Sequence, residues 1–153
     1  MNSNKSDLID FIIRHSWHRI SRMYNQMAAV EGMTMSYGFI LMMVEKEGTP
    51  STQLGPKMGM EATSLSRTIN AMEVDGLIRR SNAEKDKRVT LVFLTELGVQ
   101  KRKMVKQFIL EFNEKLNTKL KKKDLEGFFT VMNALDESVD EIVDNKKVIN
   151  EKL

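Results

Sequence analysis

The sequence predicts a mainly α-helical protein with one small β-hairpin set between two groups of helices. Three observations predict it. Apolar residues recur at helical spacing over most of the chain. The period changes only between Gly76 and Leu94. That stretch has two short helical segments before it and two long amphipathic ones after it.

The first helix runs from Asp7 to about Val30. Ile9, Ile12, Ile13, Trp17, Ile20, Met23, Tyr24 and Met27 form one stripe, with Arg14, Arg19 and Arg22 off it. Ser6 is the expected N-cap and Gly32 the expected stop. A second helix, about Ser36 to Lys46, carries Phe39, Ile40, Met42, Met43 and Val44 and ends at Gly48. A third, short one starts from a Ser51 cap, carries Leu54 and Met58, and breaks at Gly59. The fourth, about Glu61 to Asp75, puts Leu65, Ile69 and Met72 on one face. Thr63, Ser64, Ser66, Arg67 and Asn70 make up its other face, and Gly76 closes it.

Leu77 to Arg80 and Val89 to Leu94 read as strands, the second rich in β-branched and aromatic residues. The polar segment Ser81 to Arg88 between them suits an exposed hairpin loop. Two short helices followed by such a hairpin make a winged helix-turn-helix. Beyond it, Val105, Ile109, Phe112, Leu116 and Leu120 form one helical stripe. Leu125, Phe128, Phe129, Met132, Leu135, Val139, Ile142 and Val143 form another. Helices with spare apolar faces of this length require a partner, most simply a second copy of the chain. The expected organisation is a single domain over 1–153. Its winged helix-turn-helix lobe spans 33–98, with N- and C-terminal dimerisation helices at 7–31 and 99–148.

Composition narrows the function classes. The chain has no cysteine, which excludes a disulfide scaffold, a thiolate zinc site and a thiol redox switch. No run of about 20 apolar residues spans a membrane, and no signal-peptide core follows the polar N-terminus, so a cytoplasmic protein is expected. An enzyme is not expected. There is no Gly-rich phosphate loop, Ser64 and Ser66 lack a base, and the two histidines, His15 and His18, share one helix without a paired acid. Their i, i+3 spacing lacks a third ligand, so neither a metal nor another cofactor is expected. The net charge of +3 is mild but unevenly spread. Residues 101–123 hold nine Lys or Arg against two Glu, 124–153 hold eight acids against three Lys, and 79–90 hold five basic residues against two acids. Basic patches of this kind attract phosphate.

Asp86-Lys87-Arg88, then five residues, then Leu94-Thr95-Glu96-Leu97-Gly98 resembles the wing signature of the MarR family of transcriptional regulators. Gly76-Leu77-Ile78-Arg79-Arg80 is similar to that family's recognition-helix exit, and Gln53-Leu54 through Gly59-Met60 to the helix and turn before it. The order of elements matches over about Asp7 to Val143. Gly55-Pro56 departs from the family pattern of Ala and a polar residue, and a shortened helix is expected there.

The resemblance implies a dimeric regulator that binds an imperfect palindrome in double-stranded DNA, commonly as a repressor. Thr63, Ser64, Ser66, Arg67 and Asn70 would then face the major groove. Arg can hold guanine and Asn adenine with paired hydrogen bonds, while short hydroxyls more often contact phosphate. Lys85, Lys87 and Arg88 would reach the minor groove, with Asp86 orienting Arg88. Small aromatic or phenolic ligands in such proteins sit between the dimer helices and the DNA-binding lobe. The corresponding candidates are Trp17, Tyr24, Met27, Tyr37, Phe39 and Met43. The competing reading is a winged-helix protein-interaction module without specific DNA binding, whose mark would be an uncharged wing and an apolar recognition face.

Overall fold

The computed structural model describes residues 8–83 and 86–150, with residues 145–150 described through their backbone alone. The chain falls into two compact units that part between Ile109 and Leu110.

The first unit opens with α1 (Ile9–Val30), and its N-cap is Leu8, with no side-chain cap; Ser6 lies outside the described residues. Gly32, φ 68°, ends it as expected. Thr34 caps α2 (Met35–Met43) by accepting a hydrogen bond from the Tyr37 N–H at 3.3 Å. This helix stops three residues short of its expected end because Val44 is already extended. The chain then turns, and the Thr49 hydroxyl accepts from the Glu45 N–H at 2.9 Å.

That turn feeds β1 (Thr49–Pro50), a strand of two residues that no alternation pattern could signal. The first helix-turn-helix element is α3 (Ser51–Met58), capped by Pro50 and not by Ser51. Pro56 sits in its second turn and not its first, where it gives up one intrahelical donor, yet the helix continues to Met58. Gly59, φ 60°, makes the turn in the left-handed region that costs other residues energy. Next come α4 (Ala62–Val74), β2 (Ile78–Asn82) and β3 (Thr90–Leu94). The sheet order is β1-β3-β2, with both pairings antiparallel and Ile78 opposite Leu94.

One core holds these elements. Ile40, Leu41 and Val44 from α2 meet Leu54 from α3, Leu65, Ile69 and Met72 from α4, and Leu77, Ile78 and Val92 around the sheet. The apolar side of α4 is therefore consumed by packing, which forces its polar side outward. That is how the hydrophobic effect aims this helix.

The start of α5 (Glu96–Asn117) is locked to the sheet by the Leu94-Thr95-x-x-Gly98 stretch. The Thr95 hydroxyl accepts from the Gly98 N–H at 3.0 Å, as an N-cap does, and donates to the Gly76 carbonyl at 2.6 Å. Gly98 must be glycine because a Cβ there would lie 2.0 Å from the Leu77 carbonyl oxygen. Further along, Lys101 pairs with Glu31 at 2.9 Å, and Arg102 donates to the Val44 carbonyl at 2.9 Å.

The second unit holds the end of α5 and α6 (Lys122–Asn150). Between Leu110 and Asp144 no residue is buried; Phe112, Leu125, Met132 and Leu135 are half-buried. Phe128, Phe129, Val139 and Ile142 are exposed to between 50% and 60%. Among the described residues, no helix is long and apolar enough to cross a membrane.

Candidate nucleic-acid interface

The outward side of α4 is a row of polar residues with nothing to do inside the protein. Thr63, Ser64, Ser66, Arg67 and Asn70 are all exposed, while Leu65 and Ile69 between them are buried. None of the five side chains takes part in a hydrogen bond or ion pair among the described residues. Thr63, Ser66, Arg67 and Asn70 fall at i, i+3, i+4 and i+7, which stacks them on one face over two turns.

The helix is fixed to the hairpin by a contact that the sequence did not suggest. Glu73, near its C-terminus, accepts from the Arg80 backbone N–H at 3.0 Å and from Arg80 Nε at 2.9 Å. Those side-chain hydrogen bonds from Arg80 hold the Glu73 carboxyl below the usual range and raise the guanidinium in turn. Arg80 is thereby spent on bracing, and it drops out of the basic patch counted over 79–90. The only clue in the sequence was an acid and a base seven residues apart around the Gly76 turn. A second tie, from the Tyr37 hydroxyl to Asp75 Oδ2 at 2.9 Å, joins α2 to the end of α4. Burial, and then the Asp75 contact, pushes the Tyr37 hydroxyl up. Thirty-eight residues separate the two, and no local pattern announces the contact.

In the wing, Asp86 does what its place beside Arg88 suggested. Its Oδ1 accepts from the Arg88 backbone N–H at 3.0 Å and from Nε at 3.2 Å. The backbone contact first, and the guanidinium second, hold the Asp86 carboxyl below its usual range. The Arg88 side chain is 92% exposed, so the guanidinium is steered but not covered. Lys87 is exposed beside it. Lys85 lies outside the described residues.

Residues 33–90 match the model of the MarR family. The chain carries a MarR-family domain. Over 89 residues it is 26% identical to the HTH-type transcriptional regulator TtmR of Methylorubrum extorquens (strain PA1), covering 58% of this chain. That match spans only 46% of TtmR, so the chain accounts for under half of that relative's length. It is 28% identical over 129 residues to the HTH-type transcriptional regulator YwoH of Bacillus subtilis (strain 168), covering 78% of this chain and 93% of YwoH. The fold is shared with MepR of S. aureus in its DNA complex, at a TM-score of 0.78 and 16% identity, covering 86% of this chain and 98% of that one.

Beside the MarR-family domain, three of the six expected ligand-pocket residues do come together. Tyr24, Met27 and Phe39 line a cleft with Met33, Val105 and Phe108, and its enclosed volume is about 40 Å³. Trp17 does not line it but stacks on Phe39, with ring centroids 6.4 Å apart. Tyr37 is turned to Asp75, and Met43 packs against the core. A dry cavity of about 150 Å³ is needed to hold even benzene, so this cleft admits a ligand only if side chains move. Its methionines, Met27, Met33 and Met35, are the side chains best able to do so. His15 and His18 share a shallow pocket with Arg19 and Arg22, whose charges oppose a bound cation.

Proposed function

We propose that this chain is a sequence-specific double-stranded DNA-binding transcription regulator acting as a homodimer. The observation that carries this reading is the unpartnered polar face of α4 set beside a wing arginine that Asp86 orients. In this reading Arg67 and Asn70 read base edges in the major groove, and Thr63, Ser64 and Ser66 contact phosphates or bases near the helix start. Arg88, with Lys87 and Lys85, follows the adjacent minor groove, where narrow A·T tracts attract arginine. The exposed apolar residues of α5 and α6 join two copies, which spaces two recognition helices about 34 Å apart and calls for an imperfect palindrome. MepR, which shares the fold, has been solved on DNA.

The polar recognition face and the charged wing tip disfavour the interaction-module reading. Repression, relieved by a small aromatic ligand that opens the Tyr24–Met27–Phe39 cleft, is the mode this reading adopts. The test is binding of the purified protein to the DNA upstream of its own gene, with competitor DNA, at two salt concentrations. A competitor-resistant complex that weakens with salt supports specific recognition. Absence of binding by a folded dimer at both salts overturns it.

A further inference from the structure

The cleft just described has no Lys, Arg or His in its lining. A carboxylate placed there would lose water and gain no counter-charge, which is costly. An anion therefore needs another place, and the first unit offers one.

At the base of the wing, on the far side of the sheet from α4, is a second pocket of about 210 Å³. Successive residues of a strand point to opposite faces. Arg80 of β2 turns to Glu73 on α4, so Arg79 turns the other way, and its guanidinium carbon sits 4.3 Å from the Phe93 ring centroid. Arg102 of α5 reaches the same pocket, anchored through one nitrogen to the Val44 carbonyl at 2.9 Å. Lys46, from the turn after α2, lines it as well. Three cations from three separate segments thus converge on one cavity. Glu45 is the sole carboxylate in the lining, and among the described residues none of the three cations is ion-paired with it or with any other acid. Two of the cations are held in place by an aromatic ring and a backbone carbonyl, neither of which neutralises them. Phe93, Leu94 and Val99 supply an apolar surface between them.

We propose that this pocket binds a small organic carboxylate. Arg79, Arg102 and Lys46 receive the carboxylate, and Phe93, Leu94 and Val99 carry its apolar body. Guanidinium groups match a carboxylate through paired N–H donors, and the apolar surface favours an organic acid over inorganic phosphate. Lys46 and Arg79 are exposed, so solvent screens them and a Kd on the order of 1 mM is expected. A bound acid would bridge the sheet to α5, the element that continues from the DNA-binding lobe into the second unit.

The test needs no DNA, so its outcome stands apart from that of the regulatory reading. The full-length ¹⁵N-labelled protein is titrated with benzoate at low ionic strength, to roughly twentyfold above the expected Kd. Benzamide serves as the neutral isostere and inorganic phosphate as the competing oxyanion. Saturable shifts of the Lys46, Arg79, Phe93 and Arg102 amides with benzoate, absent with benzamide, are expected. Lys46→Gln and Arg79→Gln, both exposed positions that leave the core intact, should each raise Kd about fivefold. Shifts centred on Tyr24, Phe39 and Phe108 would place the ligand in the other cleft and overturn the proposal. So would an equal response to benzamide, tighter binding of phosphate than of benzoate, shifts that never saturate, or an unchanged Kd in the double variant.

Discussion

The segment from Met33 to Gly98 and the helices beyond Leu110 bury their apolar residues to very different degrees. In the first, α2, α3, α4 and the sheet contribute Ile40, Leu41, Val44, Leu54, Met72, Ile78 and Val92 to one core, each under 3% exposed. In the second, a comparable supply of Phe, Leu, Val and Ile leaves no residue buried between Leu110 and Asp144. The first segment completes its structure within one chain. The second has the composition of a core and the exposure of a surface, and that mismatch is what a subunit interface looks like before its partner arrives. The N-terminal half of α1 shares it: Ile9, Ile12 and Trp17 are each close to half exposed.

The sharpest way to break this contrast is to charge the second unit. Phe128→Asp combined with Phe129→Asp should weaken dimerisation at least about 100-fold, since buried aromatic anchors dominate interface energies. Sedimentation equilibrium would then show monomers at micromolar concentration, while the signature of the folded lobe in circular dichroism is retained. A persisting dimer would move the interface elsewhere. The opposite experiment is Leu54→Ala, in the fully buried heart of the lobe. It should cost about 2–5 kcal/mol of stability by denaturant unfolding, because α3 has only eight residues and little else to hold it.

Within the lobe, the comparison continues between the two parts of the interface. Arg67→Ala should weaken operator binding by about 1–3 kcal/mol and relax preference at one base pair. Arg88→Ala should weaken binding to many sequences alike and flatten the salt dependence. Quantitative gel shifts on the operator and on point-substituted operators separate these outcomes. Equal effects of both variants on every site would dissolve the division of labour between helix and wing.

How much of this was legible in the chain depends on the range of the interaction. The periodic elements were, because burial of one face writes itself into residue spacing: Leu65, Ile69 and Met72 mark the buried side of α4, and what remains is the recognition face. The Asp86–Arg88 contact was also legible, being two residues long. β1 was not, since two residues carry no period and owe their pairing to Val92 and Leu91. The end of α2 was overextended because Val44 is apolar enough to continue the helix, but the chain must turn to reach the sheet. The ligand-cleft residues were half legible. A helix stripe fixes which residues face inward, but whether Tyr37 meets the cleft or Asp75 is decided by an element 38 residues away.

The smallest expected effect concerns the tie between the recognition helix and the hairpin. Arg80 holds the Glu73 carboxyl below its ordinary range, so the ionised form is favoured in the folded protein. For a depressed carboxylate, the linked stability is fully present above the unfolded value of about 4.3 and disappears as pH falls through the lower folded value. The wild-type protein should therefore lose this increment only below about pH 4.3. Glu73→Gln should remove it at neutral pH and leave a shallower acid limb in stability against pH. Both groups are well exposed to solvent, so the loss at pH 7 should be small beside that of Leu54→Ala. The loss of operator specificity should be easier to detect, because the same two side chains set the angle between α4 and the wing. A variant with an unchanged acid limb would show that the backbone N–H of Arg80, and not its guanidinium, is the partner that matters.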